Sequence, residues 1–184
     1  KSKLEHAYNI CPDVGLVAKT IATKGLSGID KIPITVGVPI QMMLAQRVKS
    51  LKQLEEKMPG LKAVEEKYDG ERIQAHKTKE GIFLFSRRLD DISSQFPDII
   101  TELEKSLQAK TFVVEGEAIS IDKNGNPLPF QVLMQRRRKY KIQEYAEKVP
   151  VRLYLFDILY LVAKTYINED YQKRHQALEN ITKK

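Results

Sequence analysis

Two glutamates sit inside a stretch that otherwise reads as buried strand: Thr111–Ile121 alternates Val113, Glu115 and Glu117 on one side with Val114, Gly116 and Ala118 on the other. Carboxylates are costly to bury without a partner, so a chain that folds around this segment must bring a cation, a ribose hydroxyl pair or an arginine to it. An acidic edge strand facing water is the plain alternative. Gly116 between the two acids permits close approach of a ligand or of another backbone.

The rest of the chain supplies the elements around that strand. The first 30 or so residues have helical spacing: Leu4, Ala7, Tyr8 and Cys11, then Val14, Val17, Ala18 and Ile21 beyond Pro12. Gly25, Gly28, Pro33, Gly37 and Pro39 break the pattern and mark a linker over about 25–40. A polar helix is predicted from near Val48 to Met58, stopped by Pro59-Gly60. The period then changes. Lys62–Tyr68, Glu71–His76 and Ile82–Phe85 read as short strands turned at Asp69-Gly70 and Glu80-Gly81, and Phe96, Ile99, Ile100, Leu103 and Leu107 form a helical stripe. Asn124-Gly125 is a hairpin signal, Phe130–Tyr145 reads as a basic helix, Val151–Leu161 is the most apolar strand, and a helix runs from near Asp170 to Ile181. The order is α+β, a mixed and largely antiparallel sheet flanked by helices.

Charge and cysteine content narrow the function. Lys and Arg number 31 against 24 Asp and Glu, a formal +7, which suits phosphate-bearing partners. No apolar run approaches the roughly 20 residues that cross a bilayer. Cys11 is the single cysteine, and His6, His76 and His175 lie far apart, so no zinc-ligand spacing exists.

Four further clusters can carry chemistry. In Glu65-Glu66-Lys67-Tyr68-Asp69-Gly70-Glu71-Arg72 a lysine is followed by a tight turn that returns Arg72. A nucleophilic lysine needs some neutral amine, which neighbouring cations and partial burial favour; a solvated mixed-charge hairpin is the plain reading. Phe85-Ser86-Arg87-Arg88 brings arginines to a strand end, where guanidinium suits phosphate oxygens. Leu155-Phe156-Asp157 offers a ring that could stack on a base, with nothing in the spacing to separate Phe156 from Tyr154. Gln135–Lys141 could track a nucleic-acid backbone or be a solvated helix face.

Taken together and in order, these motifs resemble the adenylation domain of an ATP-dependent DNA ligase, of the archaeal type related to the eukaryotic replicative enzyme. Lys67–Arg72 matches that family's nucleotidyl-lysine motif, and Phe85–Arg88, Glu115–Glu117 and Leu155–Asp157 match its next three. Further likeness lies in Val36–Ile40 with Met43-Leu44-Ala45, in Phe130–Tyr140, and in Tyr171-Gln172-Lys173-Arg174. The resemblance implies an ATP-grasp-like nucleotidyltransferase fold over 34–184, preceded in 1–33 by the helical end of a DNA-binding domain. It implies that Lys67 attacks the ATP α-phosphate to form lysyl-AMP, that Glu65 reads the adenine amino group, and that Arg72 and Arg87 contact the sugar-phosphate. Glu117 would meet the ribose or Mg2+, and Phe156 the adenine face. AMP would then pass to the 5′-phosphate of nicked double-stranded DNA for sealing by the 3′-hydroxyl, in replication, repair and recombination. A monomer, a sliding-clamp partner, and a cytoplasmic, nucleoid-associated location (nuclear in a eukaryote) are implied too. The family's two later motifs and its OB-fold domain would lie beyond Lys184, so these 184 residues are expected not to seal nicks alone. Val162-Ala163-Lys164 stands where the family has a glycine-bearing turn. The rival readings are an RNA ligase, a capping-type nucleotidyltransferase, or a nucleic-acid-binding module with an inactive nucleotide site.

Overall fold

The structure is a computed structural model that describes residues 2–137 and 140–183. Three helices open it: α1 (Ser2–Ile10), α2 (Val14–Lys24) and the single turn α3 (Leu26–Ile29). Asp13 caps α2 by accepting the Leu16 N–H at 2.9 Å. Ala7, Val17 and Ile29 form their own small core, with Ile21 and Ile32 against it. An extended strap follows, and its Gln41 N–H donates to the Asn9 carbonyl. The polar helix is shorter than its sequence pattern: α4 spans Leu51–Lys57, capped by Ser50, and buries no residue.

The body is one antiparallel sheet. Strands β1 (Glu71–Lys77), β2 (Ile82–Ser86), β3 (Phe112–Ser120), β4 (Val151–Leu161) and β5 (Lys164–Thr165) lie in the order β2-β1-β3-β4-β5. Helix α5 (Pro97–Ser106), with Pro97 in its first turn, and helix α8 (Tyr171–Ile181) cover one face. Their Ile99, Leu103, Ala177, Leu178 and Ile181 close over Ile73, Ala75, Leu84, Phe112, Val114, Ala118 and Ile158. Alternation therefore sends Arg72, Gln74 and His76 of β1, and Val113, Glu115 and Glu117 of β3, to the other face. The expected α+β architecture is present.

Three local readings fall, two of them expectations and one an alternative. Residues 62–68 form no strand: β1 is already paired on both sides, by β2 and β3, so no edge is free for a further partner. That segment also buries no aliphatic side chain: Val64 is 95% exposed, and Ala63 is exposed beside it. The basic stretch 130–145 is not one helix. It breaks into α6 (Phe130–Leu133), a 3-10 turn at Met134–Arg136 and α7 (Ile142–Lys148), with Lys141 left-handed at φ 59°. The break follows from Arg136, only 2% exposed, which turns inward to grip both oxygens of Asp98 at 2.6 and 2.8 Å and lies over the Phe96 ring. Arg137 pairs with the buried Glu71, so the run is not a continuous solvated basic face; Arg138 and Lys139 lie outside the described residues. Third, β3 is an interior strand, so its acids do not sit on a watered edge.

The β4–β5 connection carries the departure seen in sequence. Leu161 pairs with Lys164, and the two residues between them, Val162 and Ala163, have φ of 40° and 66°. A two-residue hairpin loop with both φ positive suits Asn-Gly and strains residues bearing a Cβ. Ala163→Gly is expected to raise stability by about 0.5–1 kcal/mol, the relieved strain less the greater freedom of the unfolded chain. Urea titration should show this as a higher midpoint at unchanged slope.

Candidate nucleotidyl-transfer site

The polar face of the sheet is held to the strap by a chain of buried hydrogen bonds. Gly37 N–H donates to His76 Nδ1 at 3.0 Å, which leaves the Nε2 proton for Gln74 Oε1 at 2.8 Å. Gln74 also grips Ile40 at both ends, accepting its N–H at 2.7 Å and donating to its carbonyl at 3.2 Å. The same amide nitrogen reaches Glu115 Oε1 at 2.9 Å, and Arg72 holds Glu115 Oε2 at 2.5 Å. Arg72 closes the chain on the strap carbonyl of Met43 at 3.0 Å. Glu115, 3% exposed, is thus satisfied by an arginine and an amide. Sequence reasoning singled out Arg72 but missed Gln74 and His76. Their period-two spacing with Arg72 on one strand was the available signal.

The turn that follows Lys67 is set against this frame. A Cβ on Gly70 would lie 2.1 Å from the Ala118 carbonyl oxygen, so only glycine lets the turn lie flat on β3. That contact delivers the Gly70 N–H to Glu117 Oε1 at 3.1 Å. Glu117 is half-buried, and desolvation pushes its carboxyl upward against the pull of the Gly70 N–H and the charges of Lys67 and Arg72. Lys67 is exposed, contrary to the expected partial burial, and its Nζ donates to the Tyr68 carbonyl at 2.6 Å. Gly116 has its own constraint: a Cβ there would meet the Tyr154 carbonyl oxygen at 2.7 Å.

Register separates the two aromatic candidates. Glu115 pairs with Asp157 and Gly116 with Leu155, so Phe156 is the extra residue of a β-bulge. Its ring lies under the Arg72 guanidinium at 5.3 Å, whereas Tyr154 stacks on Tyr68 at 4.4 Å.

Glu65, Lys67, Arg72, Arg87, Glu117 and Phe156, which span some ninety positions of sequence, all line one open cleft of about 1540 Å³. Met43, Leu44 and Ala45 of the strap, and Phe130 and Arg137, line it as well. A separate cavity of about 1010 Å³ lies between α5, β4 and α8 and contains none of the six. Among the described residues, no three His, Cys, Asp or Glu side chains converge as a metal cage. The donor set, with Glu117 as a lone half-buried carboxylate, fits Mg2+ held mainly by nucleotide phosphates and water rather than by the protein alone.

An exposed lysine beside a tight turn, two carboxylates and strand-end arginines around one cleft make a site suited to a phosphate-bearing ligand. The model of the ATP dependent DNA ligase domain matches residues 42–184, and the chain belongs to that family. It is 46% identical to DNA ligase 1 of Methanosarcina mazei over 97% of this chain and 32% of that protein, and 47% identical to a DNA ligase of Nitrosopumilus maritimus over 98% and 31%. A DNA ligase of Saccharolobus solfataricus is 41% identical over 98% and 30%. The chain thus spans about a third of the length of these relatives. Among solved structures, the ligase domain of M. tuberculosis LigD aligns with a TM-score of 0.49 at 26% identity, over 63% of this chain and 35% of that one. No helix among the described residues is long and apolar enough to cross a membrane.

Two outcomes are expected from this geometry. Gly70→Ala should cost about 1–3 kcal/mol in thermal or denaturant unfolding, because the obstructing atom is backbone on an interior strand. His76 is fully buried and neutral, and burial lowers its pKa from 6.5 to about 3. The folded state then binds fewer protons than the unfolded one between those values, so stability is full above pH 6.5 and falls as pH drops toward 3. Urea unfolding at pH 7 and pH 5 should differ by about 2 kcal/mol from this group. His76→Gln should remove that slope, and the comparison with the parent cancels Glu117, which titrates with the opposite sign.

Proposed function

We propose that this chain is the nucleotide-activating part of an ATP-dependent DNA ligase. The observation that carries the reading is the convergence of Lys67, Glu65, Arg72, Arg87, Glu117 and Phe156 on one cleft. Lys67 Nζ attacks the α-phosphorus of ATP; the bond to the bridging oxygen of the β-phosphate breaks, pyrophosphate leaves with that electron pair, and the nitrogen sheds a proton to give a phosphoramidate. Transfer of AMP to a nick's 5′-phosphate regenerates the lysine, and attack by the 3′-hydroxyl expels AMP and seals the strand.

Each residue acts through its position. Phe156 offers the base a flat wall, with Arg72 fixed above it by Glu115 so that the guanidinium need not reorganise as charge builds on phosphate. Arg87, leaving the end of β2, reaches the cleft rim with a freely solvated guanidinium suited to phosphate oxygens. Glu117, oriented by Gly70, accepts from ribose hydroxyls or shares Mg2+ with the phosphates. When bound, Mg2+ supplies charge neutralisation on the triphosphate. The strap, tied down by Gln74 and His76, brings Met43, Leu44 and Ala45 to the cleft wall. We assign residues 1–33 to the end of a preceding DNA-binding domain and 34–184 to the adenylation domain, acting on nicked duplex DNA in the cytoplasm.

Incubation with α-labelled ATP and magnesium tests this, in this chain and in a form extended to the length of its relatives. Acid-labile label on the extended protein, abolished by Lys67→Ala, is the expected result. Label that survives Lys67→Ala, or transfer from GTP in preference to ATP, would overturn it.

A further inference from the structure

The Tyr171–Arg174 motif has no part in the chemistry above, yet the first turn of α8 reaches Glu65, which lines the cleft. We propose that Tyr171 is a positioning residue for purine selection: its hydroxyl fixes the carboxylate of Glu65, and with it the preference for a base bearing an exocyclic amino group. The inference rests on the reading of Glu65 as the residue that meets the base.

Glu65 needs an external support. It lies in the segment before β1 that joins no strand, and it is exposed, so neither a backbone ladder nor packing sets its side chain. Tyr171, 106 positions later, donates its hydroxyl to Glu65 Oε1 at 2.8 Å. Tyr171 is itself anchored. Its ring stacks on His175 at 5.7 Å with 29° between planes. One turn along, Arg174 donates from Nε to Asp157 Oδ1 at 2.7 Å and from Nη1 to the Glu169 carbonyl at 2.7 Å. Asp157 adjoins Phe156 on β4, so a single bolt relates the stacking wall to the carboxylate.

The chemistry of selection follows. An ionised carboxylate only accepts hydrogen bonds. With Oε1 engaged by the phenol, Oε2 remains as an acceptor held in place, matched to an amino N–H and repelled by a carbonyl oxygen at the same ring position. Fixing it before the nucleotide arrives removes the rotamer entropy that a free surface glutamate would lose on binding. The Glu65 hydrogen bond is also the largest cause raising the Tyr171 phenol above its ordinary value.

The test compares AMP with IMP, in which a carbonyl replaces the exocyclic amino group and N1 carries a proton, by titration calorimetry without magnesium on the full-length protein. The parent is expected to favour AMP by about tenfold, the scale for a hydrogen bond to a buried or pre-fixed polar group. Tyr171→Phe, which keeps the ring on His175, should bring the ratio down to about twofold through weaker AMP binding, with IMP affinity unchanged. Glu65→Ala should remove the preference. A Tyr171→Phe protein that keeps the parental ratio, or that loses AMP and IMP equally, overturns the proposal while leaving Glu65 as the base reader. A Glu65→Ala protein that keeps the ratio overturns the base reading itself.

Discussion

A buried carboxylate on an interior strand is the constraint around which this molecule is organised. Glu115 cannot stay in the middle of the sheet unless cations and donors come to it, and it obtains them from Arg72 and Gln74 on the neighbouring strand. Those two side chains then hold the strap through Ile40 and Met43, and His76 adds Gly37. What begins as the satisfaction of one charge ends as the roof and wall of a cleft. The arginine so fixed is the one that lies over Phe156.

The cleft is built partly from strands and partly from a segment that joins none. Glu117, Phe156 and Arg72 stand on strands, where ladder pairing sets their direction. Lys67 and Glu65 stand on a segment without a ladder, where only the bond to the Tyr68 carbonyl is seen to hold the lysine amine. Gly70 is the joint between the two regimes: its missing side chain lets the loop touch β3, and its N–H orients Glu117.

Much of this was legible from residue order. The strands Thr111–Ile121 and Val151–Leu161, the α5 stripe and the α8 start are written in alternation, 3.6-residue spacing and Pro97, all local signals. The failures have local causes of another kind. The stretch 62–68 has strand-like residues, but β1 has no free edge to receive it. The basic run 130–145 has helical spacing, but Arg136 is drawn inward by Asp98, and Lys141 takes a left-handed φ of 59°, which a continuous α-helix does not contain. Gln74 and His76 look like ordinary strand residues until the strap is laid across them.

By itself, the sequence determined most of the element types and, through the order of its motifs, a resemblance to a family that uses a lysine turn beside an acidic strand. The elements follow from periodicity and turn residues, which are local; the resemblance follows from the motifs. Only the tertiary structure separated the two aromatics: a one-residue bulge in β4, invisible to alternation, falls at Phe156, whose ring meets Arg72, while Tyr154 stacks on Tyr68. It alone decided the partners of Glu115 and Glu65. Those contacts join residues tens of positions or more apart, and a hydrogen bond across such a distance exists only once the sheet has closed and the helices have docked.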